Sequence, residues 1–501
     1  MEKFVQMVTE VNSVINDFVW VKIGLILLIS TGILMTIITK GFQVRYVGHW
    51  WKNTIGTVFK KDSDSTKKTD KKSISQFQAL CTALAATIGT GNIAGVAAAI
   101  VIGGPGAVFW MWVAAFFGMM TNFSENVLGI YYRRKNDAGE WSGGPMYYIS
   151  DGLGRIKHCK YIGKVLAVLF AMFAILASFG IGNMGQVNKI TINLQSAFFS
   201  SFMDNTIAGI PTVSIIIGIV LMIIAALIII GGLQRIAAVA ERVIPFMAIV
   251  YIIGCVIVVI VNIENLGAMF ISIFRFAFGV KAVGGATVGI LFKEVVTQGF
   301  KRGVFSNEAG LGSSVLVHSS SNVKEPVVQG MWGIFEVFFD TFVVCTMTAI
   351  VVLSSGYIDL STGLTIGNVD DATLVASAFA KVFGKGGEMF IAIAMLLFAF
   401  TTVLGWSQYG SKAVEYIFGR IGVKVYKVVF VLMIISGAVM TSSLAWDISD
   451  TFNGLMMVPN LIGVLSLSPV VIKITRSYIN RVMKGKDEKP VVSFEDNIDI
   501  E

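Results

Sequence analysis

The chain has 501 residues, 55% of them hydrophobic and only 14% charged, with a mean hydropathy of +0.76. Soluble domains carry about 25% charged residues, so water is excluded as the main solvent. The net charge of +8 lies mostly in short loops beside apolar runs, where it sets topology rather than recruiting nucleic acid.

Apolar windows of about 20 residues recur along the chain, each long enough to cross the ~30 Å hydrocarbon core as a helix. The alternating ten-residue segments of an outer-membrane barrel are missing from the pattern. The reading is an all-α polytopic membrane protein with eleven spans, near 19–39, 75–101, 106–131, 163–188, 212–231, 243–263, 284–316, 327–354, 375–408, 423–443 and 450–473. The first span lacks a small-residue cleavage site, so it reads as a retained helix and not a signal peptide. Cys81, Cys159, Cys255 and Cys345 have no paired spacing and read as small core residues.

Basic clusters follow alternate spans. Lys40 to Lys72 form the first, Arg133 to Lys160 the second, and Arg235 with Arg242 the third. Lys412 to Lys427 and Lys473 to Lys484 complete the ladder. This side is expected to be cytoplasmic, with the N-terminus outside and the C-terminus inside. The expected divisions are 1–74 (first helix and basic loop), 75–480 (transport core) and 481–501 (a disordered cytoplasmic tail).

Two stretches interrupt their spans. Thr87-Ile88-Gly89-Thr90-Gly91-Asn92 puts two glycines and three polar residues into the second, and Gly303 to Ser314 does the same in the seventh. Glycine costs a helix ~1 kcal/mol against alanine, and backbone groups bared to lipid cost several more. Such segments persist where the freed groups face protein, water or ligand. Small residues packing between helices would be the plainer explanation. Two such breaks, five spans apart and so oppositely oriented, point instead to an inverted repeat with a midplane site. Freed N–H groups suit a carboxylate and freed carbonyls suit sodium.

Thr401-Thr402, with Gly405-Trp406-Ser407-Gln408 just beyond, forms a third polar cluster. Its hydroxyls either bond back to their own helix or complete a sodium shell of oxygen ligands. Gly180 to Gln186 sets two amides on a glycine-rich stretch, for helix packing or for ligand binding. Glu294 and Glu308 are expected to pair with Lys293, Lys301 or Arg302. Only three histidines occur, and neither H-E-x-x-H nor G-x-S-x-G is present, so the chain is not read as an enzyme.

Gly103-Gly104-Pro105-Gly106-Ala107-Val108-Phe109-Trp110-Met111-Trp112 resembles the signature of the alanine or glycine:cation symporter family. Ile88 to Val96, Gly143 to Tyr148, Phe305 to Gly310 and Trp446 to Gly454 resemble the same family, in the same order. The resemblance implies a leucine-transporter-type fold, two inverted five-helix repeats with one extra N-terminal helix. It also implies sodium-driven uptake of alanine or glycine. On that basis Thr90 and Gly91 would hold the substrate carboxylate, with Asn92, Gln186, Phe305, Ser306, Asn307 and Trp406 around it. Sodium would lie between the carbonyls of Ala85 and Ile88 and the hydroxyls of Thr401 and Thr402. A proton-coupled symporter is the nearest alternative and a channel a more distant one; oligomeric state is left open.

Overall fold

The structure is a computed structural model and describes residues 2–60, 65–66, 72–207, 209–278, 287–367, 371–440 and 443–493. Lys61, Lys67, Lys68 and Lys71 of the basic loop, and tail residues 494–501, lie outside the described residues.

The main helices are α1 (Gln6–Ile38), α2 (Gln76–Thr87), α3 (Gly91–Gly103), α4 (Gly106–Tyr131), α5 (Lys160–Phe198) and α6 (Thr212–Ile229). They continue with α7 (Gly232–Val261), α8 (Thr287–Asn307), α9 (Pro326–Ser354), α10 (Lys385–Val439), α11 (Asp447–Ser466) and α12 (Ser468–Met483). The described strands are two-residue hairpin arms in loops. Local chemistry sets several of these ends. Ser75 Oγ accepts from Gln78 N (3.1 Å) while Gln78 Oε1 accepts from Ser75 N (3.3 Å), a capping box that starts α2. Pro326 opens α9, where its missing N–H costs nothing.

The polarity of the bundle is inverted relative to a soluble protein. Ile216, Val220, Ile223 and Leu227 on α6 and Phe246, Ile249, Ile253 and Ile257 on α7 face outward at helical spacing. Asn122, Glu125, Asn126, His318, Glu336 and Asp340 are fully buried. Lipid suits the first set, whereas the second survives in a bilayer only by mutual hydrogen bonding.

Several predicted boundaries change. α5 runs ten residues past the predicted end at 188, to Phe198. α7 begins at Gly232, so Arg235 and Arg242 lie in its first turns and not in a loop. The predicted ninth and tenth spans join in α10, which turns at Gly419 (φ +66°). The predicted seventh span stops at Asn307, and only a short helix, Val315–His318, follows. By length and apolarity seven helices among the described residues could cross a membrane, or nine if each bent pair is one span. A count of eleven needs α10 taken as two spans and α8 as one.

α1 is tied to the core near its middle. Lys301 of α8 pairs with Asp450 of α11 (2.8 Å), Asn16 Nδ2 donates to the same carboxylate (3.0 Å), and Trp20 Nε1 donates to the Asp450 carbonyl (3.1 Å).

Candidate functional site

The first break is a change of hydrogen-bond partners. In unbroken helix Gly89 N–H would bond the Ala85 carbonyl; here it donates to Asn92 Oδ1 (2.9 Å). Thr90 N–H donates to Gln186 Oε1 (3.2 Å) instead of to residue 86, and Ile88 is extended (ψ 92°). α3 leaves at 56° to α2. The exchange frees the carbonyls of Ala85 and Ala86 from their helical partners. Thr90 Oγ1 is buried without a hydrogen-bond partner among the described residues.

The second break reverses the chain. Glu308 adopts the left-handed conformation (φ +56°), as do Gly310 (+91°) and Gly312 (+73°), which is uncommon for a residue other than glycine. The turn swings Glu308 inward, to accept from Trp406 Nε1 on Oε1 (3.0 Å) and from Ser313 Oγ on Oε2 (2.5 Å). This corrects the expected pairing with a neighbouring cation: Lys301 belongs to Asp450, and Glu308 makes no ion pair among the described residues. Glu294, likewise expected to pair with a cation, accepts instead from Gln298 (2.6 Å).

The breaks meet at Gly91, where a Cβ would lie 3.2 Å from Phe305 Cδ1 and 3.4 Å from Ser306 Cα. Beside this crossing is a cavity of about 10 Å³, bordered by Ala86, Thr87, Gly89, Gly91, Ile181, Gln186, Phe305, Glu308, Thr402, Trp406 and Asn453. That is about the room one water needs, so the walls must part to admit an amino acid. A second cavity of about 620 Å³ opens on the basic side among Lys72, Glu140, Gln408, Lys412, Glu415 and Lys427. Gln408 stands two residues beyond Trp406 on α10.

Of the expected substrate residues, Gly91, Gln186, Phe305 and Trp406 border the small cavity. Thr90 presents its N–H to Gln186. Asn92 and Ser306 turn elsewhere: Asn92 Nδ2 and Ser306 Oγ both donate to Asp340, at 2.6 and 2.8 Å. Asn307 Nδ2 donates to Thr341 (3.0 Å). Of the expected sodium ligands, Thr402 Oγ1 lies 3.4 Å from the Ile88 carbonyl and 3.1 Å from that of Phe398. Thr401 Oγ1 donates within its own helix, to Leu397 O (3.0 Å) and Phe398 O (2.9 Å). Ala85 is buried on α2. Asn453 and Asp340 have no role in the sequence reading, and Glu308 has only that of an ion-pair partner. For Asn453 the Trp446 to Gly454 motif was the available signal; for Asp340, a lone acid inside an apolar span.

The family model described as the sodium:alanine symporter family matches residues 5–492. The chain is 42% identical over 96% of its length, and 99% of the relative's, to a protein named sodium/alanine symporter AgcS from Methanococcus maripaludis. It is 33% identical over 96% of its length and 93% of the relative's to a probable sodium/glutamine symporter from Bacillus subtilis. A solved structure of MhsT in complex with L-phenylalanine superposes with a TM-score of 0.52 at 15% identity, covering 81% of this chain and 99% of that one. That likeness gives the fold, the leucine-transporter type. The protein is a multi-pass membrane transporter and not an enzyme: the chain belongs to the sodium:alanine symporter family.

Proposed function

We propose that the protein imports alanine, glycine or both by sodium-coupled alternating access across the cytoplasmic membrane, with its basic loops and C-terminus inside. The observation that carries this reading is the contact of Thr402 Oγ1 with the Ile88 carbonyl at the first break, which faces carbonyl and hydroxyl oxygens toward one another between α2 and α10. Sodium is a hard cation served by such oxygens. Thr402 also borders the small cavity, so an ion beside it and a substrate within it share a wall.

Sodium bridging α2 and α10 fixes the unwound turn at Gly89–Gly91 and thereby shapes the amino-acid site. Each ligand then binds more tightly in the presence of the other, and the effect is reciprocal. Once the walls part to admit an amino acid, Phe305 and Trp406 leave room only for a hydrogen or methyl side chain. Separating alanine from glycine rests on one methyl group, about 1 kcal/mol, so discrimination between them is weak. A tenfold sodium gradient supplies about 1.4 kcal/mol, and one charge crossing ~100 mV adds about 2.3 kcal/mol. One sodium per substrate therefore sustains a gradient of several hundredfold.

Radiolabelled alanine uptake into proteoliposomes tests the reading. Accumulation is expected with an inward sodium gradient, saturable and blocked by excess glycine but not leucine. Equal uptake in sodium-free buffer at any pH would remove sodium coupling.

A further inference from the structure

The small cavity has two chemically different walls. On one side stand the unwound backbone of the first break, whose Gly89 and Thr90 N–H groups are held only by the side chains of Asn92 and Gln186, and the amide of Gln186, which also donates to the Ile181 carbonyl (3.0 Å). On the other stand Glu308 and Asn453, both bordering the cavity. Glu308 is the one acidic residue among those lining it and is 3% exposed. Trp406 and Ser313 donate to one oxygen each, Tyr409 lies close by, and an ionised carboxylate has about four acceptor sites. Asn453, 2% exposed, has an Oδ1 with no hydrogen-bond partner among the described residues. A buried carboxyl with no cation beside it among the described residues and a buried carbonyl without a donor are both costly. One ligand group satisfies both: a cation with several N–H donors.

We propose that Glu308, together with Asn453 Oδ1, receives the ammonium group of the transported amino acid. The substrate then lies with its carboxylate toward the first break and its ammonium toward the second. This assignment rests on the cavity being the amino-acid site. It deepens that reading in one respect: the protein selects for a protonated amine as well as for small size. The left-handed turn at Glu308 is what aims the carboxylate into the cavity instead of along α8.

The test is equilibrium binding of radiolabelled alanine to the purified full-length protein in saturating sodium, with lactate as competitor. Lactate keeps the carboxylate and methyl of alanine and replaces the amine by a hydroxyl. Glu308→Gln keeps the shape, an acceptor for Trp406 and a polar partner for Ser313, and removes only the charge. Alanine affinity is expected to fall by at least about tenfold, the loss typical of a charge-assisted hydrogen bond. Lactate affinity should change little, so the alanine-to-lactate ratio collapses by a similar factor. A merely structural Glu308 would weaken both ligands alike, and an unchanged ratio overturns the proposal. So does a shift confined to the half-saturating sodium concentration. If E308Q does not elute as a monodisperse species, Asn453→Ala decides: a ratio lowered at least threefold supports the assignment, and an unchanged ratio overturns it. Wild-type protein that binds no alanine would refute the transport reading itself.

Discussion

Gly405 sets how closely α10 approaches the first break, and its replacement by alanine is the sharpest test of the sodium bridge. A Cβ at this position would lie 2.6 Å from Ala86 Cβ and 2.8 Å from both Ala86 Cα and N. Carbon atoms prefer about 3.5–4.0 Å, so the overlap is about 1 Å and is directed at backbone, which cannot rotate away. Alanine favours the isolated helix by ~1 kcal/mol, but that gain is the same with and without sodium and cancels from the affinity. Overpacking typically costs about 1–3 kcal/mol. On the proposed bridge its weight falls on the state that holds α2 and α10 closest, the sodium-bound one, because an ion-free pair would be free to separate. The half-saturating sodium concentration for alanine uptake should therefore rise by about 5- to 150-fold. Gly95→Ala is the control: its Cβ would meet nothing nearer than the Thr90 carbonyl at 3.9 Å. A Gly405→Ala protein whose sodium dependence stays within twofold of wild type would show that the α2–α10 spacing does not govern the ion.

The two threonines should separate. Thr402→Ala is expected to raise the half-saturating sodium concentration more than Thr401→Ala, because only Thr402 Oγ1 reaches the Ile88 carbonyl; equal effects would contradict the placement. Gly182→Ala would set a Cβ 2.5 Å from Trp406 Cβ. It should weaken alanine binding with little change in sodium affinity, as measured by uptake kinetics. Lys301→Ala strands the mostly buried Asp450 carboxylate, so the melting temperature in detergent should fall, and Lys301→Ala with Asp450→Asn should recover part of it. In the exposed loop 357–367, hydrogen bonds from Ser361 and Thr362 hold the Asp359 carboxyl down to about 2. A depressed folded pKa means that this support is complete above the unfolded value, ~3.9, and fades as pH falls through about 2. Hydrogen exchange in the loop, corrected for intrinsic rate, should be flat from about pH 8 to 5, and a transition in that window would contradict the assignment.

Local patterns made the first break legible. Two glycines and three polar residues in an apolar run cannot continue a lipid-facing helix, and the N–H groups of Gly89 and Thr90 do turn to side chains, those of Asn92 and Gln186. Glu308 was misread because its sequence neighbours include Lys301 and Arg302, and local pairing is the natural default. Its left-handed backbone instead carries the carboxylate to Trp406, 98 residues away. Nothing in the linear pattern announces a positive φ at a glutamate. Asn92 and Ser306 were correctly placed at the two breaks, yet their common partner Asp340 lies 248 and 34 residues from them. Such a meeting is decided by tertiary packing. The extent of α7 was obscured because Arg235 and Arg242 read as loop charges, although long side chains let a helix keep basic residues in its first turns.

The two breaks are fastened very differently. Past the second, Arg133 donates to the carbonyls of Ser319, Ser321 and Val323, Asn460 holds the Gly310 carbonyl, and Arg481 secures Glu325. Around the first, the clasps are single side chains, Gln186, Asn92 and Thr402. In the proposed alternating-access cycle the second corner is expected to travel as one bracket with the ends of α4 and α12, and the swivel to fall to α2 and α3.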